Sequence, residues 1–114
     1  GFTFANQIGI TAQVPYVQEI VSNMASEKVS EVNLKGLRII LRKPQVEITE
    51  QNHRILQFLD LLKDIDVYTD DIIKAAERLS KYIRDEKLRK EDFDKYCSLY
   101  PNMVYRNLND LILQ

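Results

Sequence analysis

The uneven distribution of glycine and proline most limits what this chain can fold into. All three glycines and two of the three prolines precede residue 47, whereas residues 47–114 contain no glycine and only one proline, Pro101. Because glycine and proline interrupt regular helices, apolar residues at helical spacing through the second part predict continuous helices there. We expect one α+β domain over residues 1–114, with a sheet subregion at 1–46 and a helical subregion at 47–114.

The sheet subregion predicts a short N-terminal helix and three strands. Gly9 ends the helix, and Gly36 supplies the positive φ of a tight hairpin turn between the second and third strands. Residues 11–15 form a connector. We expect a small three-stranded antiparallel sheet. The predicted elements are a helix over residues 2–10 and strands over residues 16–21, 29–34 and 37–43.

The third predicted strand alternates between two kinds of side chain. Because successive side chains of a strand point to opposite faces, Arg38 and Arg42 share one face around Ile40. The other positions of this strand are apolar, so we expect the opposite face to pack on the core. That face comprises Leu37, Ile39 and Leu41.

Four helices are predicted in the helical subregion. Thr49 is the expected N-cap of the first helix and Thr69 that of the second, whereas Pro101 suits the first turn of the last. The third helix covers residues 90–99. Each helix has an apolar stripe for a shared core. The expected buried residues are Ile55, Leu56, Phe58, Leu59, Leu62, Ile72, Ala76, Leu79, Ile83, Phe93, Tyr96, Cys97, Val104, Leu108, Leu111 and Ile112.

Charge and cysteine content exclude several classes of protein. With 16 basic and 17 acidic residues the formal net charge is -1, which gives no general attraction for nucleic acid. The single cysteine excludes an internal disulfide and favours a reducing, cytoplasmic setting. No apolar run approaches the ~20 residues that cross a bilayer, so we expect no membrane partner. Because the chain begins without methionine, we interpret it as a fragment of a longer protein.

The sequence contains no convincing catalytic or metal site. His53 lies at the start of a predicted helix among polar neighbours, and Cys97 lies on an apolar stripe, so we expect neither to be catalytic. The acidic stretch from Asp64 has Thr69 and Ala75 where an EF-hand loop needs glycine and glutamate. We therefore expect a non-enzymatic protein without cofactor or metal.

The hairpin carries the strongest candidate surface for nucleic acid. Between residues 28 and 46, five basic residues accompany a single acidic residue, Glu31. Arginines on one strand face can bind phosphates through paired hydrogen bonds, but no aromatic residue lies among them to stack on bases. A merely solvated strand face is therefore the favoured alternative. The candidate nucleic-acid-binding residues are Lys35, Arg38, Arg42 and Lys43.

The last two predicted helices form a second candidate surface. A helix, a break at Tyr100-Pro101 and another helix outline a helix-turn-helix, in which the second helix would read base edges. The turn contains no glycine, and the two helices are close to charge balance. Simple packing of the helices is therefore the favoured interpretation.

Several ordered segments resemble the AbiEi-type antitoxin family. Residues 5–15, ANQIGITAQVP, are similar to a short helix that in family members ends in LGLTTQVP, and LRKP at 41–44 is similar to the end of the family's hairpin. Further similar segments follow in the same order, so the resemblance extends over nearly the whole chain. They are EIVSN at 19–23, LQFLD at 56–60, DID at 64–66, YP at 100–101 and VYRNL at 104–108.

The resemblance implies a bacterial antitoxin and transcriptional regulator of a type IV toxin-antitoxin system. A winged-helix DNA-binding domain usually precedes this region in the family, so the chain would be a C-terminal domain whose parent protein binds operator DNA. The implied functional partner is a toxin that resembles nucleotidyltransferases, and a homodimer is a further candidate assembly. The alternative function is a protein-interaction or dimerisation module with no nucleic-acid contact.

Overall fold

A computed structural model describes residues 2–10, 17–34 and 36–112. The predicted α+β class is confirmed, because a three-stranded sheet is followed by helices. The predicted connector at 11–15, the first predicted strand residue Tyr16 and the turn residue Lys35 lie outside the described residues. The described elements are α1 (Phe2–Gln7), β1 (Val17–Val21), β2 (Val29–Leu34), β3 (Leu37–Arg42), α2 (His53–Lys63), α3 (Ile65–Tyr68), α4 (Ile72–Asp85), α5 (Lys90–Tyr96), a 3-10 turn (Cys97–Leu99), α6 (Asn102–Asn107) and a π-helical turn (Leu108–Ile112).

The sheet is mixed, so the prediction of an antiparallel sheet is wrong. β3 lies between the other strands, antiparallel to β2 and parallel to β1. Residues 22–28 pass the end of β3, where the amide of Ser22 donates to the carbonyl of Arg42 at 3.0 Å. β2 and β3 form the predicted hairpin, with Gly36 at a φ of 80°. β1 and β2 run in opposite directions. Because β3 follows β2 through a hairpin and is antiparallel to it, β3 runs parallel to β1.

The buried core is built from helices. α1 contributes Phe4 and Ala5, and no described residue of the three strands belongs to the core. The expected packing of the third strand on the core is therefore wrong: Ile39 and Leu41 are only half-buried. The side chain of Leu37 lies outside those described. The helices bury their stripes against one another, in a core of Phe4, Ala5, Ile55, Phe58, Leu59, Leu61, Leu62, Ile65, Tyr68, Ala75, Leu79, Phe93, Cys97, Val104 and Leu108.

Aromatic ring contacts join the helices to one another, α1 included. Phe58 lies edge-to-face with Phe93, and Phe4 lies edge-to-face with Tyr82, each with ring centroids 5.1 Å apart. Such pairs contribute roughly 0.5–1.5 kcal/mol beyond the burial of their area. α1 is followed, as predicted, by Gly9 at a φ of 79°. The N-terminal helix therefore packs with the helices although it precedes the sheet in the chain.

Both predicted helix starts shift by a few residues. The amide of Thr49 donates to Oδ1 of Asn52 at 2.8 Å, and Oγ1 of Thr49 accepts from the amide of Asn52 at 3.2 Å. Thr49 thus holds the turn before α2, which begins at His53 with Asn52 as N-cap. In α4 the N-cap is Asp71, and the hydroxyl of Thr69 accepts its amide hydrogen at 3.0 Å. Each threonine therefore stabilises the approach to a helix rather than its first turn.

Other details of the helices also differ from the sequence expectations. α3 is a single turn that the apolar pattern does not predict. The third predicted helix is α-helical only to Tyr96, and the fourth changes to π-helical geometry after Asn107. In α4 the buried alanine is Ala75 rather than Ala76. Several other residues expected to be buried are only half-buried: Leu56, Ile72, Ile83, Tyr96 and Ile112. The side chain at position 111 lies outside those described.

The end of α4 shows a consequence of the missing glycines. Lys87 has a φ of 55°, which lies in the left-handed region where glycine is favoured. The amide of Leu88 donates to the carbonyl of Ile83 at 3.0 Å and closes the helix end. Since residues 47–114 contain no glycine, a lysine takes this position at a cost of about 1 kcal/mol.

Candidate interaction faces of the sheet

One face of the sheet carries a cross of four charged side chains. The strand register places Glu19 of β1 and Glu31 of β2 directly opposite Ile40 at the middle of β3. Arg38 and Arg42 lie two residues on either side of Ile40 and share its face. The glutamates form one arm of the cross, which runs across the strands, and the arginines form the other arm along β3. These five residues are termed the charged face.

Each arginine of the charged face pairs with a glutamate on a neighbouring strand. Nε of Arg38 donates to Glu31, and Nη2 donates to the second carboxylate oxygen at 3.3 Å. Arg42 pairs through Nε with Glu19. The hydrogen bond and the charge of Glu31 raise the pKa of Arg38 above its ordinary value. All four side chains remain 43 to 54% exposed, so the two pairs lie open to solvent and their charges cancel.

Lys28 and Lys43 carry the other described basic charges of the hairpin. The amide of Lys43 donates to the carbonyl of Lys28 at 3.1 Å, so both residues lie at one end of the sheet. Both are exposed, and neither forms an ion pair with a described residue. Of the predicted nucleic-acid-binding set, Arg38 and Arg42 thus lie together, Lys43 lies beyond the strand end, and Lys35 is outside the described residues. An open depression of about 400 Å³ adjoins this end and is lined by Asn23, Lys43, Pro44, Gln45, Val46 and Glu47.

The opposite face of the sheet is uncharged in all its described side chains. Val32 lies opposite Ile39, while Ile20 and Ser30 both lie opposite Leu41. Ile20 is 41% exposed and Val32 is 47% exposed. These five residues are termed the uncharged face. Apolar side chains gathered on one open face are a recognised mark of an interaction surface in soluble proteins.

The charge of Glu19, on the charged face, acts on Tyr68 of α3. Burial of Tyr68 raises the pKa of its phenol to about 12, with further contributions from the charges of Asp64, Asp60 and Glu19. Because Glu19 belongs to β1, the field of the sheet extends to the helical part at this residue. Deprotonation of the phenol is therefore disfavoured by both parts of the molecule.

The two residues considered for nucleophilic chemistry lie in the helical part. His53 is the first residue of α2 and is half-buried. Cys97 is buried in the core, where burial and the charge of Asp94 raise the pKa of the thiol. A raised pKa lowers the fraction of reactive thiolate. Within the described ranges, no group of three or more histidine, cysteine or acidic side chains is placed to hold a metal ion.

Several residues of the predicted helix-turn-helix around Tyr100 and Pro101 make packing contacts within the chain. Val104 of α6 is fully buried, so one side of this short helix faces the core. Tyr100, before α6, donates its hydroxyl to the carbonyl of Leu56 in α2 at 3.3 Å. Tyr105 is exposed, and its carbonyl accepts the side-chain amide of Asn109 at 2.9 Å. These contacts favour the interpretation as simple helical packing.

Comparison with known proteins assigns neither a family nor a function to the chain. No family model, curated protein or solved structure matches the chain. The resemblance to the AbiEi-type family stays a prediction from the sequence segments. In the part of the chain that the structure describes, no helix is both long and apolar enough to cross a membrane.

Proposed function

We propose that this chain is a non-enzymatic protein-interaction domain of an antitoxin-like transcriptional regulator in a bacterial type IV toxin-antitoxin system. It works in the cytoplasm and contacts a protein partner through the uncharged face, while another domain of the parent protein binds operator DNA. The family assignment rests on the similar sequence segments. One structural observation carries the interaction: the described side chains of a whole sheet face are uncharged and lie outside the core.

The uncharged face supports a protein contact for energetic reasons. Ile20 and Val32 are each more than 40% exposed, and Ile39 and Leu41 are half-buried beside them. Full burial of a side chain of this kind contributes roughly 1.5–3 kcal/mol relative to exposure. Charged residues, which are depleted at the centres of protein interfaces, are absent from the described side chains of this face. A partner could therefore cover the uncharged face without removing water from a charged group on any of its described side chains.

The charged face supports phosphate binding less well. A phosphate would have to compete with Glu31 for Arg38 and with Glu19 for Arg42. The two carboxylates would also repel the phosphate, and the four charges of the face sum to zero. Surfaces that bind nucleic acid instead carry an excess of positive charge. We therefore favour the interaction function over additional phosphate contacts.

Growth rescue in bacteria tests the proposed function. The gene adjacent to that of the parent regulator is expressed as the toxin, and the parent regulator is supplied with or without a substitution. We expect the wild type to rescue growth, Val32→Glu to lower rescue at least tenfold, and Val29→Glu to leave it unchanged. Val29 is the matched control because it lies on the same strand, on the opposite face, and is 46% exposed against 47% for Val32.

Two outcomes of the rescue experiment would contradict separate parts of the proposal. An adjacent gene that does not arrest growth contradicts the antitoxin assignment. Equal rescue by Val32→Glu and Val29→Glu contradicts the assignment of the uncharged face as the contact surface.

A titration with duplex DNA tests the nucleic-acid alternative. The wild type and the double variant Arg38→Ala with Arg42→Ala are compared by fluorescence anisotropy at about 50 mM salt, where phosphate contacts are strong. We expect the dissociation constants to agree within twofold. A tenfold weakening in the double variant, together with a shallower salt dependence, would show that the arginines bind phosphate.

A further inference from the structure

We propose that the charged face binds the same face of a second copy of this chain, with the two sheets crossed at about 90°. In this arrangement the arginine arm of one copy lies over the glutamate arm of the other. Ile40 of each copy lies at the centre of the contact. The inference concerns a different surface from the proposed function and does not depend on it.

The two arms of the cross have similar lengths. Arg38 and Arg42 are four residues apart on β3, which corresponds to about 13 Å along an extended strand. Glu19 and Glu31 lie on the two strands that flank β3, so two strand spacings separate them by about 10 Å. Both arms are centred on Ile40. A quarter turn about the normal of the sheet therefore exchanges positive for negative charge.

This exchange makes the charged face complementary to itself. If a two-fold axis lies between two such faces, at about 45° to β3, the strands of the two copies cross at about 90°. Each arginine of one copy then faces a glutamate of the other. Orthogonal crossing is one of the two usual ways in which sheets stack. A two-fold contact of this kind uses the same patch on both copies and closes at a dimer.

The charged side chains retain the capacity for these second contacts. Arg38 donates two of its five N–H groups to Glu31, and a carboxylate can accept from two guanidinium groups. Arg42 pairs with Glu19 through Nε. All four side chains keep roughly half of their surface exposed, and Ile40 between them is half-buried. A second copy can therefore bind while the pairs within each chain stay intact.

The size of the face implies a weak dimer that is sensitive to salt. Strands of five and six residues span about 20 Å, and three strands span about 14 Å, so each copy presents only about 300 Å². A typical stable complex buries about 800 Å² on each partner. Open ion pairs are also screened as salt rises. The dimer should therefore form at low ionic strength, and the net charge of -1 per chain offers little repulsion.

Charge reversal provides the test. The positive variant combines Glu19→Arg with Glu31→Arg, and the negative variant combines Arg38→Glu with Arg42→Glu. In sedimentation velocity at about 20 mM salt, we expect the mass of the wild type to rise with concentration from 13.4 kDa towards twice that value. Each variant alone should stay monomeric, whereas an equal mixture of the two should associate at least as tightly as the wild type. About 500 mM salt should weaken association of the wild type at least tenfold.

Matched variants separate this contact from general effects of charge and folding. The control for the negative variant is Arg54→Glu with Arg89→Glu, which makes the same change in net charge away from the sheet. This control should associate like the wild type. Circular dichroism checks the fold of every variant. If the reversed variants unfold, Glu19→Gln with Glu31→Gln removes the charges at nearly constant shape and should abolish association.

Three results would overturn the proposed dimer. The first is a wild type that remains at 13.4 kDa up to about 1 mM protein at low salt. The second is an equal mixture of folded positive and negative variants that does not associate. The third is association that survives high salt and is abolished by Val32→Glu, which would assign the contact to the uncharged face. The first two results leave the growth-rescue test of the proposed function unchanged.

Discussion

The helices and the sheet bury their apolar side chains to very different degrees. In the helices, Phe58 and Leu59 have no exposed surface, whereas Ile20 and Val32 of the sheet are more than 40% exposed. Both parts have periodic sequences, with a helical period in one and an alternating period in the other. The difference shows that periodicity establishes which side chains share a face and does not establish what covers that face.

Truncation of one leucine in each part should give the largest contrast. Leu59→Ala removes a fully buried side chain from the helical core and should lower the free energy of unfolding by about 2–5 kcal/mol. Leu41→Ala removes the same atoms from a half-buried position in β3 and should lower it by about 1 kcal/mol. Chemical denaturation measures both values. Equal losses would mean that the sheet is as well packed as the helices.

Alkaline pH should destabilise the protein in part through Tyr68, alongside Tyr82 and Tyr100, whose pKa values burial also raises. The pKa of Tyr68, about 12 in the folded chain, lies above the ordinary value of 10, so the unfolded chain loses the phenolic proton first. The stabilising contribution is complete below pH 10 and is lost as the pH rises from 10 to 12. In Tyr68→Phe, the denaturation midpoint should therefore fall less over this range.

The exposed Tyr105 supplies the control for the alkaline experiment. Tyr105→Phe makes the same chemical change outside the core and should retain the pH dependence of the wild type. A Tyr68→Phe variant that loses as much stability as the wild type between pH 10 and 12 would show that Tyr68 makes no contribution to the effect.

A smaller effect is expected at the end of α4. Lys87→Gly relieves a left-handed backbone conformation and should raise the free energy of unfolding by about 1 kcal/mol. Lys87→Ala keeps the Cβ atom and is the control, with an expected change within about 0.5 kcal/mol. Thermal and chemical denaturation provide the measurement. Destabilisation by glycine would contradict the assignment of strain to this residue.

The smallest effect on stability is expected at the uncharged face. Val32→Glu and Val29→Glu should each change the free energy of unfolding by no more than about 0.5 kcal/mol, because both side chains are nearly half exposed. A loss of 2 kcal/mol or more in Val32→Glu alone would show that the uncharged face is packed within the monomer. The same measurement establishes that the loss of growth rescue expected for Val32→Glu does not reflect unfolding.

Local sequence signals predicted most of the elements but not how the strands are arranged. Gly9 and Gly36 have the positive φ values that their expected positions require. The position of β3 between β1 and β2 depends on contacts between distant residues, and alternation looks the same in parallel and antiparallel strands. The left-handed Lys87 was missed because its sequence neighbourhood lacks the usual glycine.

The candidate site could be predicted only in part from the sequence, because the arrangement of the strands depends on contacts between distant residues. Alternation in β3 correctly placed Arg38 and Arg42 on one face, and Glu31 lies in the same hairpin. Glu19 was missed as the partner of Arg42 because β1 becomes the neighbour of β3 only through the mixed topology. The apolar face of β3 was expected to pack on the core. The core is instead built from helices, α1 included, which the sequence alone could not show.

Accessibility of the sheet methyl groups tests the central claim most directly. In an NMR experiment on dilute protein at high salt, a soluble paramagnetic agent broadens the signals of methyl groups that solvent can reach. We expect strong broadening for Ile20 and Val32, and none for the fully buried Leu59 and Val104. Equal protection of all four residues would show that the uncharged face is covered within the chain, and would contradict the interaction function.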